Sequence, residues 1–404
     1  MPSRISENRH IFLICAVVLF EFISFGIANP MLPRLFDGLN RTGIPTSVYV
    51  FAVFLIGDTI QFFWAPALGT LSDRFGRRRI LVLSVISLSI GSTARYLADE
   101  IYIFLIVSAV LGFVAATMST AMASAADVAG KERRTVVFGL ITGMAVSGYT
   151  IGPMIGGFTS DIDARLPFLI AAIISILNLL FVVFFLKETL PPEKREKKRI
   201  GLNSLPFVAI WKQPRRIKML LALFFLSYAV MSMPNSIIMV YLIERFSWSG
   251  TMIGAALAVH MFVASLGQLV LSGWLSRRWG ELNVTMLSIL LGAIFLILMG
   301  LADLTPIIAA SFALLGIIAI AIPACASLIS IATPQEDQGE IQGILASMTG
   351  LSRIVLFGVF GPVFAIVLQR GGASIISGLP FVFVGDCLLG LLLWIRNRVR
   401  LEPA

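Results

Sequence analysis

The sequence predicts an all-α integral membrane protein with twelve transmembrane helices in two parallel six-helix repeats and with both termini in the cytoplasm. Three observations carry this prediction: the hydropathy of the whole chain, the regular recurrence of apolar runs, and a loop motif that occurs twice. The 404 residues have a mean hydropathy of +0.94, and only 13% of them are charged. A soluble domain does not bury that much apolar surface, so the chain belongs in a bilayer.

Apolar runs of about 20 residues recur along the whole length, and each is long enough to cross the hydrocarbon core as a helix. A helix satisfies its own backbone hydrogen bonds in lipid, and the alternating pattern of a membrane barrel does not occur. The first run contains Glu21 and is followed by further spans, so it is predicted to be a transmembrane helix and not a signal peptide. The spans are predicted near residues 11–33, 47–70, 80–98, 101–126, 136–158, 166–186, 217–243, 251–275, 283–302, 305–329, 341–368 and 377–396.

The net charge of +9 is distributed by side of the membrane. With these spans, 24 of the 31 Lys and Arg residues lie on the side that holds both termini, five lie on the other side, and Arg95 and Arg353 lie within spans. The positive-inside rule places the richer side in the cytoplasm. The excess of Lys and Arg over Asp and Glu therefore reflects topology and attraction to anionic lipid, and no nucleic-acid partner is expected. Arg95, near the outer end of its span, is expected to reach the surface along its aliphatic stem.

The loop after the second span is repeated after the eighth span. GTLSDRFGR at 69–77 aligns with GWLSRRWGE at 273–281, at an offset of 204 residues. The same offset aligns Gly139 with Gly343 in a second loop. Both copies of the motif face the same side, so the repeats are parallel and related by an axis along the membrane normal.

The longest polar stretch, 187–216, is rich in proline and charge and separates six spans from six. Such a composition is typical of a linker. The sequence therefore predicts an N-terminal six-helix bundle at 1–186, a cytoplasmic linker at 187–216 and a C-terminal six-helix bundle at 217–404.

Several stretches carry a resemblance to a known family. The six-plus-six arrangement, with G-x-L-S-D-R-F-G-R-R between spans two and three, resembles the major facilitator superfamily. FEFISFGIANPMLP at 20–33, APALGTLSDRFGRR at 65–78 and ERFSWSGTMIGAALA at 244–258 resemble its tetracycline-efflux branch of drug:proton antiporters. The resemblance implies the major facilitator fold and a multi-pass transporter of the bacterial inner (plasma) membrane.

A glycine-rich segment in span five, GLITGMAVSGYTIGPMIGG, resembles the motif that marks drug:proton antiporters in this family. Glycine removes side-chain bulk, so two helices can approach closely, and a proline permits a bend. The alternative interpretation is ordinary small-residue helix packing. The motif comprises Gly143, Gly148, Gly152, Pro153, Gly156 and Gly157.

The arginines of the first loop motif fix orientation, but orientation does not account for its glycines and aspartate. Gly69 allows close packing, Gly76 allows a tight turn, and Asp73, near a helix start, meets the positive end of the helix dipole. By resemblance, the motif forms a cytoplasmic latch between the halves that gates transport. The gating set is Gly69, Asp73, Arg74, Gly76, Arg77, Arg78 and Asp127.

An ionisable group at mid-bilayer costs ~2.5–3.5 kcal/mol on insertion scales, so each such group needs a reason. Glu21 stands where the tetracycline-efflux pattern has an acidic residue. Burial disfavours the charged form of a carboxylate, so the group can bind and release a proton near neutral pH. The alternative is a structural carboxylate. The set predicted for proton coupling or substrate contact is Glu21, Asp58, His260, Arg353 and Asp386.

The resemblance places spans two and eleven beside each other, so Asp58 and Arg353 are predicted to form an ion pair that bridges the halves in one state. Alternatively, Arg353 faces the cavity and binds an anionic substrate. His260 suits a proton relay, and its alternative is a histidine hydrogen-bonded within the bundle. Asp386 faces either the cavity or a neighbouring helix.

Three positions depart from the family pattern. Ser108 stands where antiporters have an arginine in span four. Ala264 and Gly292 stand where the tetracycline-efflux branch has a histidine in span eight and an aspartate in span nine. The usual coupling set is therefore incomplete, and the resemblance does not fix tetracycline as the substrate.

The leading hypothesis is proton-coupled efflux of a small amphipathic compound, multidrug or tetracycline-like, by alternating access. The alternatives are a facilitator or proton symporter that imports an anionic metabolite and, more remotely, a non-transporting membrane sensor. The sequence has no nucleotide loop and no metal-ligand spacing, so neither a cofactor nor an enzyme activity is expected. The expected partners are a small-molecule substrate, protons and the lipid bilayer, and the chain is expected to be monomeric.

Overall fold

The structure, a computed structural model, describes residues 4–128, 134–195, 210–211, 213–333, 338–371 and 374–399. Within these ranges the chain is helical and contains no β-strand. Eleven helices are long and apolar enough to cross a membrane, and there are twelve spans if the bent pair Arg215–Ser232 and Ile237–Phe246 counts as one. The predicted all-α membrane fold is confirmed.

The spans are numbered α1–α12 in chain order, and several contain a short break. The first six are α1 (Arg4–Ala28, a 3-10 turn at Asn29–Met31, and Leu32–Leu39), α2 (Thr46–Phe75), α3 (Arg77–Leu97), α4 (Ile101–Val114 and Thr117–Val128), α5 (Arg134–Ile162) and α6 (Leu166–Phe185). The last six are α7 (Arg215–Ser232, a 3-10 turn at Met233–Asn235, and Ile237–Phe246), α8 (Gly250–Leu266, a π-turn at Gly267–Leu271, and Ser272–Trp279), α9 (Glu281–Leu301), α10 (Thr305–Leu315, a 3-10 turn at Gly316–Ile320, and Ala321–Ile331), α11 (Gln338–Val355, a π-turn at Leu356–Phe360, and Gly361–Gly371) and α12 (Leu379–Val399).

Several helices run past the ends predicted from hydropathy, and two of these extensions carry acidic residues of interest. The second span is predicted to end at 70, but α2 continues to Phe75, and the fifth is predicted to end at 158, but α5 continues to Ile162. Hydropathy marks the hydrocarbon core, whereas a helix keeps its backbone hydrogen bonds into the interfacial region. The extensions place Asp73 and Asp161 on helices and not in loops.

The 204-residue offset of the sequence repeat recurs in the backbone. Pro30 and Pro234 each lie in a 3-10 turn that interrupts the first span of a half. Gly76 and Gly280, at the α2–α3 and α8–α9 turns, have φ of +100° and +79°. This left-handed region is readily available to glycine alone, so the same residue type makes the same turn in both halves.

By contacts, the chain divides into two compact units, Met1–Gly201 with Ser249–Ala258 and Leu202–Trp248 with Val259–Ala404. The first unit contains α1–α6 and the beginning of α8, and the second contains α7, the rest of α8 and α9–α12. The division falls within the predicted linker. The sequence did not indicate that the first residues of α8 belong with the first unit.

The same packing pattern holds within each unit. In the first unit α1 packs along α5 and α3 along α6, and in the second α7 packs along α11 and α9 along α12. The first core lies around α1 and contains Ile14, Val18, Ile141 and Val182, each at most 1% exposed. This arrangement matches the repeat that the sequence predicts and places the inner face of α1 against α5.

Candidate functional site

A seam of close backbone contact joins α5 to α1. A methyl group built on Gly148 would lie 2.7 Å from Cβ of Phe22, and one built on Gly152 would lie 2.6 Å from Cα of Gly26. One built on Gly156 would collide with the carbonyl oxygen of Ile27. Because real Cβ atoms do not come this close, the seam requires glycine at these positions.

A second face of α5 packs against the beginning of α8, within the first unit. A methyl group on Gly157 would lie 2.9 Å from Cα of Gly254, and one on Gly254 would collide with the carbonyl oxygen of Pro153. A methyl group on Gly143, in contrast, would have nothing within 4 Å. The packing explanation of the motif therefore does not extend to Gly143.

Asp161, at the end of α5, caps the first turn of α8. Its carboxylate accepts hydrogen bonds from the backbone N–H groups of Gly250 (2.8 Å) and Thr251 (2.7 Å). The next N–H, of Met252, donates to the hydroxyl of Ser249 at 3.2 Å. The free N–H groups that begin every helix are thus satisfied, and the carboxylate meets the positive end of the dipole.

The guanidinium of Arg34, on the last segment of α1, pairs with the same Asp161 carboxylate and donates to Ser160 at 3.2 Å. A methyl group on Gly250 would collide with the Ser160 hydroxyl, so glycine at this position admits both side chains. Sequence reasoning missed this cluster because Asp161 was assigned to a loop beyond the fifth span.

Glu21 lies on α1 next to the glycine seam. Its side chain is buried, with 9% of the residue exposed, and its neighbour Phe22 contacts Gly148. Thr117 of α4 lies near the carboxyl group, and its buried hydroxyl has no hydrogen-bond partner among the described residues. Oε2 of Glu21 has no hydrogen-bond partner among the described residues. A buried carboxyl oxygen without a partner is rare in a structural role.

Thr117 begins the second segment of α4, directly after a break in the helix. The two carbonyls that the break frees are satisfied by side chains of neighbouring helices, Ser84 donating to Val114 O at 2.6 Å and Gln61 to Ala115 O at 3.4 Å. Broken backbone at membrane depth needs such partners. Because the segment begins at Thr117, which lies near the Glu21 carboxyl group, the positive end of its helix dipole lies beside Glu21.

Arg95, on the last turn of α3, does not reach the surface as predicted. Only 6% of the residue is exposed. Its guanidinium donates to the hydroxyl of Ser108 on α4 at 3.0 Å and to Oδ1 of Asn29 on α1 at 3.3 Å. The neighbouring helices supply polar partners inside the bundle, so the side chain points inward.

His260 on α8 is fully buried in the second unit. Its Nδ1 donates to the carbonyl of Phe312 on α10 at 2.9 Å, and the two rings stack with centroids 5.1 Å apart. A methyl group on Gly316 would lie 2.6 Å from the carbonyl of His260. This geometry favours the alternative interpretation, a histidine hydrogen-bonded within the bundle.

The other mid-span charges lie at differing exposure. Asp58 and Arg353 are half-buried and belong to different units, and Asp386 is exposed. Arg353 lies just before the π-turn of α11, and such turns are frequent at functional sites. Their roles, including the Asp58–Arg353 pair, remain predictions from the sequence.

The α7, α11 and α12 helices of the second unit line a small, partly open apolar cavity of about 50 Å³. It lies beside the α11 π-turn and is lined by Phe225, Leu226, Ala229, Val230, Met233, Ser352, Val355, Leu356, Phe360, Val384 and Cys387.

Arg77 is the centre of a charge cluster at the α2–α3 turn. Its guanidinium pairs with Asp73 at 2.5 Å and with Asp127, at the end of α4, at 3.0 Å. Its backbone N–H donates to Glu188, beyond α6, at 2.9 Å. Arg78 donates to the carbonyl of Val183 at 2.7 Å.

The expectation that Asp73 meets a helix dipole is wrong, because α2 extends to Phe75 and leaves Asp73 in its last turn. Glu188 is the carboxylate at the start of α3, and sequence reasoning missed it because it falls in the predicted linker. Arg74 is exposed and stacks on the Phe75 ring at 5.5 Å. Gly69 lies within α2, and its surroundings fall outside the part of the chain that is described.

The profile of the Major Facilitator Superfamily matches residues 14–355 and 220–404. The tetracycline resistance protein, class C, of Escherichia coli is 30% identical over 385 residues and covers 95% of each chain. Multidrug resistance protein 2 of Bacillus subtilis (strain 168) is 26% identical and covers 96% of this chain and 95% of the relative.

Solved structures show the same fold at lower identity. The nucleoside transporter NupG has a TM-score of 0.74 and 14% identity and covers 96% of this chain and 98% of that chain. The human organic anion transporter MFSD10 (TETRAN) has a TM-score of 0.68 and 20% identity, with 97% and 100% coverage.

Proposed function

This chain belongs to the Major Facilitator Superfamily, and on that premise we propose that it exports a small amphipathic compound in exchange for protons. The observation that carries the proposal is Glu21, a buried carboxyl on α1 with an unpartnered oxygen, beside a broken helix and a glycine seam. Relatives across nearly the whole chain are named tetracycline resistance and multidrug resistance proteins, which supports a substrate of that kind.

The surroundings of Glu21 suit a carboxyl that changes its protonation state. In the neutral form, the group lies among apolar side chains at low cost. In the charged form, the positive end of the Thr117–Val128 segment stabilises it, and the buried Thr117 hydroxyl, which has no partner among the described residues, is free to donate to it. Because both forms have a favourable environment, Glu21 is the residue proposed to carry the proton.

In the proposed cycle, the bundles 1–186 and 217–404 rock about a central site, joined by the linker 187–216. The Asp161 cluster, which ties the beginning of α8 to α5, is proposed to hold one state of this cycle, and the Arg77 cluster is proposed to fix the helix ends of the first unit on its own side. The chain is proposed to act as a monomer with both termini in the cytoplasm.

The test is transport in proteoliposomes under an imposed pH gradient, with a panel of tetracyclines, dyes and organic anions. Wild type should move substrate with matching proton flux, and Glu21→Gln should lose the gradient dependence, because an amide cannot exchange a proton. The matched control is Glu100→Gln, which removes an exposed carboxylate before α4 and should leave coupling intact. Substrate movement that ignores the gradient in wild type would show a facilitator instead.

A second candidate is import of an anionic metabolite, favoured by the half-buried Arg353 beside the α11 π-turn. The charge-swapped pair Asp58→Arg with Arg353→Asp separates the two roles of Arg353. Restored transport relative to each single variant supports an Asp58–Arg353 bridge. No rescue, with loss limited to anionic substrates, supports Arg353 as a substrate-binding residue.

A further inference from the structure

The guanidinium of Arg95 is a buried positive charge that the proposed proton path does not use. It lies where three helices meet. Arg95 is in the last turn of α3, and its partners are Asn29, in the 3-10 turn of α1, and Ser108, on α4. Both of its hydrogen-bond partners are neutral. Nε of Arg95 is buried and has no partner among the described residues.

Two other arginines of the first unit show how this protein compensates such a charge. Arg34 pairs with Asp161, and Arg165 pairs with Asp99 at 2.7 Å. None of the ion pairs in the described part of the chain includes Arg95, although it is more buried than either. A desolvated cation with neutral partners alone is unfavourable, so a structure that retains one has a reason to do so.

The site keeps hydrogen-bond donors that no described residue accepts from. Ser108 and Asn29 accept from the guanidinium through Oγ and Oδ1, so the Ser108 hydroxyl proton and the Asn29 amide group remain available to donate. With Nε–H of Arg95, they form a set of donors around one positive charge. That set matches the oxygen of a carboxylate or enolate and offers nothing to a cation. Asn29 is only half-buried, so the site has an approach from its side.

The Arg95 site and Glu21 lie on the same pair of helices, α1 and α4, a similar distance apart on each. Asn29 lies eight residues after Glu21 on α1, about 12 Å along the helix, and Thr117 lies nine residues after Ser108 on α4, about 13 Å along. Along the α1–α4 contact, the positive charge of Arg95 and the carboxyl group of Glu21 therefore lie at different depths. A compound with an anionic group and an apolar body can bind at the depth of Arg95 without displacing the proton on Glu21.

We propose that Arg95, Asn29 and Ser108 bind the anionic group of the transported compound, so that the substrates are amphipathic anions or zwitterions. The inference rests on the proposed export function and names its substrate class. An inorganic anion such as chloride shares the same chemistry, and the experiment separates the two sources.

The test uses two dyes that differ in one group, a rhodamine with a free carboxylate and the methyl ester of the same dye. Binding to the purified full-length protein is measured by fluorescence anisotropy, which needs no proton gradient. Arg95→Gln should weaken binding of the carboxylate dye about tenfold and leave the ester unchanged. Arg95→Lys keeps the positive charge but not the planar guanidinium group, so its affinity for the carboxylate dye should lie between those of wild type and Arg95→Gln. Arg165→Gln is the control and should change neither dye.

Transport of the same dyes under a pH gradient then separates this inference from the export function. Gradient-independent transport with intact carboxylate selectivity overturns proton coupling and leaves the anion site standing. Equal loss of both dyes in Arg95→Gln and Arg95→Lys overturns the anion site and makes Arg95 a structural clamp. If Arg95→Gln does not fold, Ser108→Ala and Asn29→Ala provide the same comparison. Competition by millimolar chloride that abolishes carboxylate-dye binding assigns the site to an inorganic anion and overturns the substrate assignment.

Discussion

At the scale of the residue, the imidazole of His260 is fixed by its surroundings on α8 and α10. Nδ1–H donates to the carbonyl of Phe312 at 2.9 Å, and the ring is stacked on the ring of the same residue. A histidine that relays protons needs to exchange partners during the cycle. The burial and stacking of this one favour a structural role in the second unit.

We therefore expect His260→Gln to retain proton-coupled transport, since the glutamine amide can still donate a hydrogen bond in the bundle. His260→Leu should remain coupled but lose about 1 kcal/mol of stability with the lost hydrogen bond. Proton flux in proteoliposomes and thermal unfolding of the purified protein check the two expectations. A folded His260→Gln protein without proton flux would restore the relay hypothesis.

At the scale of the element, the α1–α5 seam and the α4 break determine the setting of Glu21. Glycines at 148, 152 and 156 bring the two backbones together, because each lacks the atom that would collide. The seam holds α1 in one rotation about its axis, and that rotation buries Glu21. The same α5 helix offers a natural comparison, because Gly143 lies in open space.

Gly152→Ala should destabilise the protein by about 1–3 kcal/mol, since the added methyl group would force α1 and α5 apart. Gly143→Ala should be neutral or slightly stabilising, because alanine favours the helix and meets nothing. Thermal unfolding of both variants, with transport measured beside it, tests the seam. Equal stability of the two variants would show that the close approach does not constrain the helices.

At the scale of the whole molecule, α8 is the helix that the two compact units share. Residues Ser249–Ala258 belong to the first unit, and the helix continues from Val259 in the second. The Asp161 cap and the glycines at 157, 250 and 254 account for the attachment of this beginning to α5.

Asp161→Asn should weaken the α8 cap, because Oδ1 accepts from Gly250 and Oδ2 from Thr251, whereas an amide has one acceptor oxygen and loses the Arg34 ion pair. Hydrogen–deuterium exchange should then be faster in the peptide that contains 249–258. The matched control is Asp163→Asn, whose carboxylate accepts from the Arg165 N–H at 2.7 Å outside the cap. Unchanged exchange of 249–258 in Asp161→Asn would contradict the role of the cap.

Much of the fold could be predicted because the bilayer restricts what a sequence can do. The apolar runs, the repeated loop motif and the 204-residue offset correspond to helices and turns found in the structure, down to the positive φ of Gly76 and Gly280. Helix ends were less well predicted, as α2 and α5 show, because the interface tolerates both helix and loop.

The sequence by itself determined that this chain spans a membrane in two similar halves and which charged residues lie at membrane depth. A bilayer fixes span length and requires every backbone group to be satisfied, so those features are local. Only the tertiary structure decided which of these groups have partners. Arg95 meets Asn29, 66 residues away, and His260 meets Phe312, 52 residues away, because helix packing brings distant residues together and no local pattern records the distance between them.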